Sequence, residues 1–409
     1  MKRKGLLAML AAGLMAATTA QATELEVTHW WTSGGEAAAV AEFAKAFNAS
    51  GDKWIDGAIA GSGGTARPIM ISRITGGDPM GATQFNHGQQ ALELVEAGLM
   101  LDLTDVAEAG NWKEIIYPSS LLDACTVDGR IYCAPVNIHS PEWLWISNKV
   151  YNDIGIPVPK NWNEFVASAP KVEAAGKIPL ALGNQPWQSN LAFGAITIAV
   201  AGLDVWRSVN VDKNMKAAAG PEMAAVFQAA ADARKLAAKS TVQDWNQATN
   251  LVITDQAAGQ IMGDWAQGEF QVAKEVAGKD YTCLPGLGLN TYLSTGGDAF
   301  YFPKLDDPEK EAAQKRLAAL LVSPKVQVAF NLKKGSLPIR GDVDLSAAND
   351  CMKKGLDLLA SGNIMPSGDM VWSPDVQTQA ADLMVEFFKS DMAPAEAHKR
   401  WVAILETGL

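Results

Sequence analysis

The chain has 409 residues and a formal net charge of −11, and 48% of its residues are hydrophobic. That length carries two domains with proper cores. The acidic balance argues against a nucleic-acid partner and against an anionic membrane surface.

Lys2, Arg3 and Lys4 precede an apolar stretch from Leu6 to Ala17, and Ala20-Gln21-Ala22 supplies small residues where a signal peptidase reads. This pattern predicts a secretory signal over residues 1–22, cut after Ala22. The apolar stretch is shorter than the roughly 20 residues of a spanning helix, and no later segment reads as long enough, so a soluble exported protein is expected. Leu25 to Trp30 reads as a short extended run. Ser33 followed by Glu36 is a capping-box signature that opens a helix to about Asn48. Ile69 to Ile74 reads as helix, Gly81 to Phe85 as a strand, and Gln89 to Ala97 as a helix ended by Gly98. Trp162 to Ala175 is predicted helical, Ile178 to Leu182 extended, and Pro221 to Lys239 helical. Strands alternating with helices at this spacing predict an α/β fold with mainly parallel sheets. The glycines of Gly57 to Gly64 are not a P-loop, because no Gly-Lys-Ser/Thr follows.

The sequence holds four cysteines, and an exported chain with an even number predicts disulfides. Cys125 and Cys133 flank an Asp128-Gly129 hairpin signal, which faces them across a turn. That leaves Cys283 to pair with Cys351. The cysteine spacings do not resemble paired metal ligands and the four histidines are scattered, so neither a metal nor a cofactor is expected.

Five stretches, in order along the chain, carry a resemblance. They are His29-Trp30-Trp31 with the following Gly-Gly-Glu; Ala134 to His139 leading into Trp143-Leu144-Trp145; Asn152 to Pro157 with Asn161 to Phe165; Ala257 to Trp265; and Val322 to Phe330 with Lys334 to Arg340. The chain resembles the carbohydrate-binding solute-binding proteins of ABC transporters. The double tryptophan, the Val-Asn-Ile-His run and Gly296-Gly297-Asp298 narrow the resemblance to the glucose/mannose-binding branch. The resemblance implies a periplasmic-binding-protein, or Venus-flytrap, fold. One lobe is expected over 23–138 plus 296–343 and the other over 139–295 plus 344–409, joined by a multi-strand hinge. It also implies a monomeric periplasmic protein that closes on a small sugar and delivers it to ABC permease subunits in the inner membrane.

A sugar presents hydroxyls that need polar side chains and C–H faces that stack on aromatic rings. Thirteen tryptophans make such stacking plentiful. Trp30 and Trp31 follow a strand at its carboxyl end, where ligands sit in α/β sheets. Adjacent side chains point opposite ways on extended chain, so only one need face the cleft. Glu36 either completes its capping box or accepts sugar hydroxyls. The resemblance places His87 as a hydroxyl binder, Trp245 and Trp265 as a second aromatic pair, and Asp298 and Lys334 (or its neighbour Lys333) as polar ligands. Trp187 lies in a polar loop and could widen or close the site. Asn137 and His139 lie at the expected hinge, where they either line the cleft floor or, the preferred reading, satisfy hinge backbone. Asp369 stands where the branch carries a histidine. A carboxylate only accepts hydrogen bonds, which opens the site to a related hexose, a glucoside or a polyol.

Two other functions compete. A secreted glycosidase would need a carboxylate pair flanking the scissile bond, about 5–9.5 Å apart. A quaternary-amine binder would use a tryptophan cage. No motif marks a catalytic acid, and a lysine in the site suits neither, so a non-enzymatic binding protein is the expectation.

Overall fold

The computed structural model describes residues 22–367 and 371–409. The signal segment over 1–21 and Asp369 lie outside the described residues.

Two main sheets, one of five strands and one of four, organise the chain. Their strands in chain order are β1 (Glu24–His29), β2 (Lys53–Ala58), β3 (Ala82–Asn86), β4 (Cys133–Pro135), β5 (Trp143–Ser147), β6 (Ile178–Ala181), β7 (Ala257–Met262), β8 (Tyr281–Pro285) and β9 (Asp298–Tyr301). The first sheet has the order β2-β1-β3-β9-β4, and the second β8-β5-β7-β6. The α/β two-lobe architecture is as expected, but the sheets are mixed rather than mainly parallel. β1 pairs in parallel with β2 and β3, whereas β9 runs antiparallel to β3 and β4. In the second sheet β5 is antiparallel to both neighbours, and only β6 with β7 is parallel. The cause lies in the connectivity: β5 and β9 are entered from inter-lobe crossings, not through helical crossovers of one hand.

The helices that matter for the site are α1 (Gly34–Ala49), α2 (Ser62–Thr75), α3 (Trp162–Ala174), α4 (Pro186–Asn210), α5 (Pro221–Leu236), α6 (Trp245–Ile253), α7 (Ala266–Val272), α8 (Pro308–Leu321), α9 (Pro324–Lys334), α10 (Asp350–Ser361), α11 (Pro374–Lys389) and α12 (Pro394–Glu406). The expected helix over Gln89 to Ala97 is a single 3₁₀ turn followed by a short helix, Leu92–Glu96. By length and hydropathy α4 could cross a membrane, contrary to the expectation that no segment after the signal could. It is instead a core helix, packed against α5 and α11 and interrupted at Gly202, whose φ is 80°.

Each lobe has its own aromatic core. In the first, Phe43 stacks on Phe330 at 4.1 Å, with Phe300 and Trp31 edge-on and tilted around them. In the second, Phe227 meets Phe193, Phe387 and Trp401. Both expected disulfides are present. Cys125–Cys133 closes over a hairpin whose turn residues Asp128 and Gly129 both have positive φ, as the tight turn requires. Cys283–Cys351 ties β8 to α10 across 68 residues.

Three crossings connect the lobes and are hydrogen-bonded to one another. Ile138 and Leu337 exchange backbone hydrogen bonds of 2.8 and 2.9 Å, and the His139 N–H donates to Gly296. Helix α7 lies between two strands of the second sheet. One of its faces stacks Phe270 on Tyr281 of β8, while another packs on α1 and α9 of the first lobe.

Candidate ligand-binding site

Parallel strands end together, so β1, β2 and β3 bring residues 30, 60 and 86 to one edge of the first sheet. β9 is antiparallel and pairs Asp298 with Asn86, so the beginning of β9 reaches that same edge. In the second sheet β6 and β7 are parallel, and the segments after them carry Trp187 and Trp265. The two edges face each other across a cavity of ≈ 290 Å³. Open α/β sheets bind ligands at such carboxyl edges.

Of the residues expected in the site, Trp30, Trp31, Glu36, Trp187, Trp245, Trp265, Asp298 and Lys334 all line this cavity. They divide by lobe. The second lobe supplies a tryptophan wall: Trp265 lies 6.3 Å from Trp187, tilted by 50°, and 6.5 Å from Trp245, at 87°. Local sequence explains each ring. A β-carbon at Gly263 would fall 2.1 Å from the Trp265 ring, so only glycine lets the indole fold back over it. Trp245 opens α6 directly after the Asp244 cap. Trp187 opens α4, and its indole N–H donates to Gln185 Oε1 at 2.9 Å.

The first lobe supplies the polar wall. Asp298 Oδ1 accepts from Gln84 at 2.7 Å, and Oδ2 accepts from Asn137 at 2.9 Å. Gln84 in turn accepts the Trp30 backbone N–H, so one side chain fixes both the carboxylate and the start of the aromatic loop. Burial disfavours the Asp298 charge, but His139, Lys334 and the Asn137 hydrogen bond outweigh it and hold the carboxyl down to about 2. Gly297 leaves room for this crossing, since a β-carbon there would sit 2.2 Å from the Asn137 carbonyl oxygen.

Glu36 completes its cap only in part. Its N–H donates to Ser33 Oγ as a cap should, but its carboxylate accepts from the Ser33 hydroxyl and from Lys334 Nζ, at 3.2 and 2.8 Å. Both members of that ion pair are buried, and Lys334 Nζ lies 5.8 Å from the rings of Trp31 and Trp265 alike. Lys334, not Lys333, is therefore the lysine at the cavity. The two adjacent tryptophans both line the cavity but are unequally buried. Trp31 is 1% exposed and belongs to the first core, while Trp30 is half-buried against Gly63.

His87 departs from expectation. It is outside the lining, buried behind Gly297, and neither ring nitrogen has a hydrogen-bond partner. Burial first, then the charge of His139, pushes its imidazole down to about 4. The physical reason is one residue of register: Asn86 occupies the strand edge, so the following side chain turns inward. His139 departs the other way and lines the cavity. Sequence reasoning also missed Arg67, Gln185, Asp244 and Asn246. Gln185 and Asp244 precede helices α4 and α6, Asn246 lies in the first turn of α6 and Arg67 in the second turn of α2, and no motif marked any of them.

Residues 31–328 match the bacterial extracellular solute-binding protein family. A "Probable sugar-binding periplasmic protein" of Rhizobium meliloti is 34% identical over 406 residues, covering 97% of each chain. Among solved structures, a chitin oligosaccharide binding protein superposes with a TM-score of 0.77 at 18% identity, covering 94% of this chain and 98% of that one. The bacterial solute receptor AcbH, described as preferring β-D-galactopyranose exclusively, gives 0.75 at 18% identity over 94% and 99%. An exported, two-lobe protein is what both the sequence and these likenesses describe, and the chain belongs to the bacterial extracellular solute-binding protein family.

Proposed function

We propose that this protein is the periplasmic substrate-binding component of an ABC sugar importer, taking a hexose-sized sugar between its lobes and presenting it to the permease. The observation that carries this reading is the opposition of a three-tryptophan wall to a hydrogen-bonded carboxylate across one cavity. The rings suit the C–H face of a pyranose and Asp298 suits two adjacent hydroxyls. At ≈ 290 Å³ the cavity lies at the small end of the about 300–1,000 Å³ usual for ligand sites, which favours a monosaccharide, with glucose leading. The lobes are taken as 23–138 plus 296–343 and 139–295 plus 344–409. In support, the two sheets divide on that line and the Cys283–Cys351 bridge joins the C-terminal part to β8.

The competing functions fit less well. A glycosidase acid needs a raised carboxyl at the cavity, whereas Asp298 is held low and Glu36 is engaged by Lys334. A cation cage is disfavoured by Arg67 and Lys334 in the lining. Calorimetric titration of the purified protein with glucose, mannose, galactose, maltose, sorbitol and glycine betaine tests the reading. Saturable binding of a sugar is expected; betaine binding without any carbohydrate binding would overturn it.

A further inference from the structure

His139 stands where the three crossings meet. Its backbone N–H donates to Gly296 of the second crossing, and its neighbour Ile138 is paired with Leu337 of the third. Its side chain enters the cavity. Nδ1 lies 3.3 Å from Asp298 Oδ2, and the ring meets Trp265 edge-on at 5.3 Å. One imidazole thus touches the polar anchor of the first lobe and the central ring of the second.

The charges around the cavity give this contact weight. Glu36, Asp244 and Asp298 line it against two permanent cations, Arg67 and Lys334. Lys334 is already committed to Glu36. A neutral sugar closing over Asp298 removes water from that carboxylate, and a buried carboxylate without a cation is expensive. His139 is the group in hydrogen-bond reach that can supply the balancing charge. The titratable groups facing it are Asp298 from β9, Asp264 after β7, Glu142 before β5, Lys334 at the end of α9 and His87 after β3. Asp264 accepts from the Ser140 N–H and hydroxyl at 2.9 and 3.0 Å, directly beneath His139. Glu142 accepts from the Ser294 N–H at 2.6 Å and so joins the first crossing to the second.

Resting on the sugar-binding reading above, we propose that His139, as an imidazolium, is a positioning residue for the ligand: it holds Asp298 and Trp265 in register across the closed cleft and neutralises the carboxylate that the sugar covers.

The electrostatics agree. Burial alone would depress the His139 imidazole, but Asp298 and Asp264 together lift it above the ordinary histidine value. A raised imidazole is charged at lower pH and loses its charge as pH rises through that value, so sugar affinity falls in the same direction. Asp264 and Glu142 are pushed up by burial to about 7 and about 8, and their own ionisation in this range helps hold His139 charged. H139Q keeps a hydrogen-bond donor but cannot titrate.

Two measurements test this. First, NMR titration of the His139 ring is expected to show a value above that of a free histidine, falling back in D298N. A value at or below the free one in the wild type overturns the inference without touching sugar binding. Second, calorimetry uses the tightest binder among glucose, galactose and maltose. Wild-type affinity should drop about tenfold between about pH 6 and about pH 9, while H139Q is weak at the lower pH and flat across the range. Parallel profiles for the two proteins overturn the inference. If none of the three sugars binds the wild type, the sugar reading itself fails, and the proposal with it.

Discussion

The two walls of the cleft are organised by different physics. The second lobe's wall is three indoles held by packing: Gly263 lets Trp265 fold back, and Trp187 and Trp245 bracket it from helix starts. The first lobe's wall is a buried polar network in which Gln84, Asn137 and His139 fix Asp298, while Lys334 and Glu36 fix each other. An indole wall tolerates small lateral shifts, because dispersion contacts with a flat ring have little directionality. A hydrogen-bonded carboxylate does not, because its geometry is narrow. Under the proposed sugar-binding role, the first lobe would set which hydroxyls are accepted and the second would supply affinity common to many sugars.

The polar wall is the more fragile, and the largest effect is expected there. Lys334→Ala leaves Glu36 buried without its cation, a loss of about 3–5 kcal/mol in stability. Denaturant unfolding should show it, and K334A/E36A together should lose less than the two single changes combined. An unchanged unfolding midpoint in K334A would mean that the pair is not buried in solution. The disulfides extend the comparison. Removing Cys283–Cys351, whose closed loop spans 68 residues, should cost about 4 kcal/mol, against about 2–3 kcal/mol for Cys125–Cys133, which spans 8. The double-serine variants compared by calorimetric unfolding check the order.

A smaller effect probes where the lobes touch. A β-carbon at Gly35 would sit 2.4 Å from the backbone carbon of Gly268, and the Gly35 N–H donates to Glu269 at 2.7 Å. Gly35→Ala wedges α1 from α7, with about 1–3 kcal/mol lost and sugar binding weakened by a cleft held open. Gly194→Ala, on an α4 face with nothing near the new carbon, should instead leave the protein as stable or slightly more so. Thermal unfolding and small-angle scattering of both variants separate the cases. The mildest expectation is a slope. Burial raises the Glu142 carboxyl to about 8, so its stabilising contribution is complete below the unfolded carboxyl value and is lost as pH rises towards 8. Asp298, held near 2, gives the opposite sign and loses its contribution only in strong acid. E142Q should flatten the fall in stability between the ordinary carboxyl value and about pH 8 and leave the strong-acid limb alone.

Much of this was legible in the sequence, for reasons that differ by residue. Trp30 was picked out because it follows a strand at its carboxyl end, whereas Trp265 and Asp298 came from the stretches that resemble the family, not from any local strand pattern. The Cys125–Cys133 pair was found because Asp-Gly dictates the turn. What escaped depended on the third dimension. That Trp31, while lining the cavity, is buried against Phe43, Phe300 and Phe330 is decided by packing partners, two of which lie hundreds of residues away. His87 was misplaced because a single step past Asn86 turns a side chain from cleft to interior, and the ring of His139 lines the cavity while its backbone N–H still pairs in the hinge. Helix α4 went unseen because Asn184 to Gln188 reads as loop and Gly202 breaks its periodicity. The antiparallel strands went unseen because direction belongs to the crossings, which carry no local pattern.

The central claim is that one sugar is held jointly by Asp298 of the first lobe and Trp265 of the second. The most direct measurement is isothermal titration of the tightest-binding sugar into the wild type, D298N and W265A. Losing either wall should weaken binding by about 2–3 kcal/mol, roughly 30- to 150-fold, with folding intact by circular dichroism. If either variant binds that sugar as tightly as the wild type does, the ligand is not shared between the two walls and the account is contradicted.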